Sequence, residues 1–139
     1  MASTTFSGPV TSTNGFIGAV TGNVTGNVTG NITGDVTGNI TGDVIATNQA
    51  LSGAGAVNVT DMLTSLTTTG ASQALTLANG TVGQIKIISH VVDGGSAVLT
   101  PTTKIGFTTI TFTAVGDGVT LIYTSAGWAI VGDRGVTIA

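Results

Sequence analysis

The 139-residue chain has no cysteine, only 6% charged residues and a formal net charge of −3. So short a sequence makes one domain, or a small domain with an appendage, and its surface holds far fewer charges than the roughly 25–35% usual for a soluble monomer. Lys86, Lys104 and Arg134 are scattered and give no basic footprint for nucleic acid, the missing cysteines exclude disulfides and thiolate metal sites, and no stretch of about 18 apolar residues is present to cross a membrane as a helix.

Residues 1–19 read as an extended polar arm, with Pro9 and the turn dipeptide Asn14-Gly15. The opening MASTTFSGPV has neither the positive nor the apolar region of a secretory signal, so export by the general pathway is not expected. Phe6 and Phe16 are the aromatic groups of this arm. They are its candidates for docking into a neighbouring protein, set against the plainer reading that they pack on the arm itself.

Residues 20–44 read VTGN-VTGN-VTGN-ITGD-VTGN-ITGD-V, a four-residue unit repeated six times. In an extended backbone, side chains alternate faces, so Val20, Val24, Val28, Ile32, Val36, Ile40 and Val44 fall in one row, with the repeat glycines on the same face. A helix is rejected because each repeat carries a Gly costing about 1 kcal/mol, beside residues of weak propensity. Collagen is rejected because its glycines recur every third residue. Fully extended, the segment would reach roughly 80 Å, and one chain cannot bury a stripe one residue wide along it. Either the chain folds back at each Gly-Asn or Gly-Asp, or several copies wind together with these rows facing a shared axis. The row is the candidate self-association interface.

Residues 45–70 lose the period and read as a linker or the edge of the next domain. Ala54 to Thr60 suggests a short strand, and Asp61 to Leu66 a single helical turn with Asp61 as candidate N-cap. Residues 71–139 show strand alternation throughout. Gln73 to Leu77 and Gln84 to His90 alternate on either side of Asn79-Gly80, which predicts a hairpin of two paired strands. Asp93-Gly94-Gly95 then leads into Ala97 to Thr100, followed by Pro101 and by Phe107 to Thr113. Gly116-Asp117-Gly118 leads into Val119 to Thr124, and Ser125-Ala126-Gly127 into Trp128 to Val131. The expectation is all-β: a repeat-containing arm plus a small antiparallel β-sandwich or barrel. A core of about 70 residues is modest, and without disulfides or a metal, oligomerisation is the remaining staple.

Catalytic chemistry finds little to build on. His90 is the single histidine, with Asp93 three residues away and no nucleophile placed beside it. Glutamate is absent and the six aspartates are dispersed, so no close carboxylate pair serves glycoside hydrolysis. Asp35 and Asp43 share a face of the repeat, but calcium wants 6–8 oxygen ligands. No nucleotide-binding loop is present. No cofactor and no metal are expected. Tyr123 and Trp128 offer a candidate sugar-stacking platform, against the plainer reading that Trp128 fills a core or an interface.

Three stretches resemble small virion proteins of tailed bacteriophages, marine and cyanobacterial ones especially: the opening TTFSGPVTSTNGFIG, the TGNVTGN repeat, and the terminal ANGTVGQIKIISHVVDGGSAVLTP with GFTTITFTAVGDGVTLIYTSAGWAIVG. The resemblance implies a non-enzymatic virion component assembled as a homotrimer. It points to a capsid decoration or cement protein, or a short head fibre, whose partners are itself and the major capsid protein or another virion protein. The rival expectation is a tail-fibre or receptor-binding tip that meets host glycan through Tyr123 and Trp128.

Overall fold

In the computed structural model, residues 7, 8, 36, 37 and 39–139 are described. Ten strands occur among these residues: β1 (Asn48–Ser52), β2 (Gly55–Val57), β3 (Leu63–Thr67), β4 (Gln73–Leu77), β5 (Ile85–Val92), β6 (Ala97–Pro101), β7 (Ile110–Phe112), β8 (Gly118–Thr124), β9 (Gly127–Arg134) and β10 (Thr137–Ile138). Among the described residues there is no helix. Period-two patterning is the cause: along β5, Lys86, Ile88 and His90 are buried while Ile85, Ile87 and Ser89 are not, and along β4 the buried residues are Leu75 and Leu77.

The strands form two five-stranded sheets, one ordered β1-β3-β5-β8-β9 and the other β10-β7-β6-β4-β2. From β1 to β6 the chain alternates between them, one strand in the first sheet and the next in the second. Each strand therefore stacks parallel on the strand two before it, with Asn48 opposite Leu63, Leu63 opposite Ile87, Gly55 opposite Leu75 and Gln73 opposite Ala97. This is solenoid-like winding, in which the return crossover of a parallel pair passes through the opposite sheet. The corners stack as well: the Gly53 N–H donates to Thr67 O, Thr68 N–H to Val92 O, and Gln73 N–H to Ser96 O, each at 2.9 Å. After β6 the winding stops, and β7 to β10 add to both sheets in antiparallel fashion.

The core lies between the sheets. Leu66, Ile88, Val119, Leu121 and Trp128 come from the first, and Val57, Leu75, Leu77, Leu99, Ile110 and Phe112 from the second. These residues all belong to the unit spanning Ile40–Ala139.

The all-β expectation holds, and the two-sheet arrangement is not a closed barrel. The antiparallel expectation is corrected to mixed sheets. Asn79-Gly80 does not make a hairpin, because β4 and β5 lie in different sheets and β4 pairs with β2 and β6. Asp61 to Leu66 is no helical turn, since Leu63–Thr67 is a strand whose Leu66 is wholly buried. Residues 45–70, read as a linker, contribute β1, β2 and β3, so the sheets begin at Asn48 and not at residue 71. The turn read at Ser125-Ala126-Gly127 is present and joins β8 and β9 as an antiparallel pair, with Thr124 opposite Gly127 and Tyr123 opposite Trp128.

Candidate interaction surface

The residues expected to associate divide between the described and the undescribed parts of the chain. Val20, Val24, Val28 and Ile32 lie outside the described residues, as do Phe6, Phe16 and Asp35. Val36, Ile40 and Val44 are described, and their exposures are 58%, 62% and 69%. Ile45 follows at 89%. Branched apolar side chains so open to water are individually unremarkable, but here they recur at the repeat's own spacing.

A second apolar area lies on the outer face of the first sheet, which sequence reasoning did not single out. Because Lys86, Ile88 and His90 point inward, Ile85 and Ile87 point out. Ile85 stands opposite Ile122, and Ile87 is flanked by Leu63 and Thr120. Cross-strand neighbours share a face, so Leu63, Ile85, Ile87 and Ile122 make one uncharged patch across β3, β5 and β8. Parallel strands are usually covered on both faces, and this sheet has only its inner face against the core. Towards β9 the patch gives way to a shallow groove of about 330 Å³, lined by Ile87, Ser89, Thr120, Asp133 and Arg134. The signal in the sequence was the unbroken IKII run, whose odd positions have no partner within a two-layer fold.

Trp128 is fully buried, and its indole N–H donates to Ala78 O at 2.8 Å. Tyr123 packs edge-on against it, with ring centroids 5.1 Å apart. The tryptophan face is thus occupied by the fold itself and offers no stacking platform.

His90 is 1% exposed, and its Nε2 lies 3.0 Å from the Thr68 hydroxyl, which also accepts the Gly94 N–H at 2.9 Å. With Thr68 at 2% exposure, this hydroxyl–imidazole pair is closed to any substrate. Asp93 is turned away to its own corner, where it accepts the Gly95 N–H at 2.8 Å. Asp117, not Asp93, is the carboxylate near His90. Burial raises its pKa, but the N–H donors of Thr113 and Ala114, the Thr113 hydroxyl and His90 outweigh that and hold it below the ordinary carboxylate value. Asp43 is exposed, and among the described residues no group of three His, Asp or Glu side chains converges as a metal site would require. No protein-family model matches the chain, and no curated protein matches it either.

Proposed function

We propose that the chain is a non-enzymatic structural protein of a tailed-phage virion, a capsid decoration or cement protein or a short head fibre, which associates as a homotrimer and attaches to the capsid. The observation that carries this reading is the exposure of Val36, Ile40 and Val44, apolar groups that recur at four-residue spacing in the sequence. The uncharged outer patch of the first sheet and the 6% charge content favour association in the same way. Oligomerisation would also offset the small size of the core. The rival, a glycan-binding fibre tip, depended on a Tyr123–Trp128 platform, and with Trp128 enclosed the geometry gives it no support.

Sedimentation equilibrium at micromolar concentration tests the assembly. The expected result is a trimer mass, and a folded monomer would overturn the reading. Stepwise dissociation of virions tests location, with the chain expected among the head components and not among the tail tips.

A further inference from the structure

Lys86 is the anomalous member of the core. It lies on the inward face of β5 beside Ile88, is wholly buried, and extends its ammonium towards the turn joining β2 to β3. Burial lowers its pKa to about 8, an effect the Asp61 carboxylate partly offsets. Its Nζ donates to the Asp61 main-chain carbonyl at 2.7 Å.

The same aspartate holds the Asn58 carboxamide at both ends. The Asp61 N–H donates to Asn58 Oδ1 at 3.0 Å, and Asn58 Nδ2 donates to Asp61 Oδ2 at 2.7 Å. The Asn58 main chain is fixed in turn, its N–H donating to Gln49 Oε1 at 2.9 Å. Three chemical requirements of acyl transfer therefore meet on one residue: an amine of reduced basicity, an amide carbonyl polarised by an N–H donor, and a carboxylate against the nitrogen that would leave.

We propose that Lys86 and Asn58 join in an intramolecular isopeptide bond, with Asp61 relaying the protons. The Asp61 carboxylate takes a proton from the Lys86 ammonium, and the free Nζ attacks Asn58 Cγ. The Nζ–Cγ bond forms, the Cγ–Nδ2 bond breaks, and the departing nitrogen leaves as ammonium, having received through Asp61 both protons that Nζ sheds. Lysine ammonium plus carboxamide becomes secondary amide plus ammonium ion, with no oxidant and no cofactor. The product removes a buried ammonium from the core and ties the β2–β3 turn to β5, closing the chain between them as a disulfide would in a protein that has cysteines.

The plainer alternative is that Asn58 caps its turn and Lys86 remains an amine. Mass spectrometry of the full chain under denaturing conditions separates the two. The expected species is lighter by one ammonia, and its proteolytic digest contains a branched peptide joining the segments around Asn58 and Lys86. Lys86→Met and Asp61→Asn should both regain the full mass, the first because the nucleophile is gone and the second because the relay is. If either variant fails to fold, the wild-type digest still decides, because an unmodified Lys86 peptide after prolonged incubation of the folded protein overturns the proposal. A mass loss retained in Lys86→Met would overturn it equally, by placing the lost ammonia elsewhere.

Discussion

Asp117 carries an unusual share of the β7–β8 corner. Its Oδ2 accepts the N–H groups of Thr113 and Ala114 at 2.7 and 3.0 Å and the Thr113 hydroxyl at 3.3 Å, while its main-chain carbonyl accepts the His90 N–H at 2.8 Å. A carboxylate that three donors stabilise has a folded-state pKa below its unfolded value of 3.8. Its contribution is therefore fully present above that pH and is lost as pH falls through the lower folded value. Asp117→Asn should cost about 1–3 kcal/mol at pH 7 by urea denaturation, because the amide accepts more weakly and brings donors of its own. The gap between wild type and variant should narrow below pH 3.8; a constant gap across that range would remove Asp117 from this role. Thr68 makes a similar hinge of hydrogen bonding on the other side of His90, whose Nδ1 has no partner among the described residues. Thr68→Val strands both the Gly94 N–H and His90 Nε2 in the core and should cost about 1–3 kcal/mol, whereas Thr68→Ser keeps the hydroxyl and most of the stability. Equal losses in the two variants would mean that the methyl group, and not the hydrogen bonds, sets the cost.

The winding of β1 to β6 depends on corners that stack closely, and glycine is what permits the tightest of them. Gly95 has φ +139°, and a Cβ there would lie 2.5 Å from the Gly70 carbonyl group, so the corner after β5 could not rest on the corner after β3. Gly83 also has positive φ, at +90°, but open space surrounds it. Gly83→Ala should therefore cost about 1 kcal/mol from conformation alone, and Gly95→Ala distinctly more, read as a larger fall in melting temperature. Comparable losses would show that corner stacking contributes little. The same corners explain what the sequence could and could not disclose. Alternation located β4 to β9, because side-chain period is a local property. It did not tell which strand is the neighbour. Asn79-Gly80 has the composition of a two-residue hairpin turn, yet Ala78 to Gln84 spans between sheets, with Trp128 packed over Gly80 and the Gln84 side chain donating to Val59 O. Pairing at a distance of a whole coil leaves no short-range mark. β2 lies within the short strand read at Ala54 to Thr60, but β1 and β3 were missed for a related reason: Asn48–Ser52 and Leu63–Thr67 alternate small or polar residues with only one buried leucine, Leu66, and gain their order from stacking, β1 on β3 and β3 on β5.

For the whole molecule, the four-residue apolar spacing of the repeat is legible in the sequence because strict periodicity needs no tertiary context, whereas the outer patch of the first sheet was not, since its existence depends on Ile85 and Ile122 becoming neighbours. If the repeat row lines a shared axis, the double variant Val28→Asp/Ile32→Asp should place carboxylates there at a cost of several kcal/mol and convert trimer to monomer in sedimentation, with β-sheet circular dichroism retained. A trimer that survives the change would shift the interface to the outer patch. Under the proposed function, attachment to the head is a separate matter, and it would fall to the arm through Phe6 and Phe16. The core is built from the unit Ile40–Ala139, with its first strand at Asn48, so removing residues 1–18 takes away none of the packing described for it. The shortened protein should fold, melt within a few degrees of the full chain, and fail to bind purified heads. Attachment to many capsid subunits would stabilise the shell by mass action, which rises only logarithmically with concentration, so heads lacking the protein should break at lower temperature or osmotic stress, and adding the full chain but not the shortened one should restore them. A fibre tip would behave differently. Deleting the arm would leave binding to cell-surface glycan intact, and Tyr123→Ala would abolish it. Trp128→Ala is no test of that alternative, because emptying so large a buried site costs about 3–5 kcal/mol and threatens the fold itself. Glycan binding lost with Tyr123→Ala, together with head binding unaffected by loss of the arm, would place the protein at the tail.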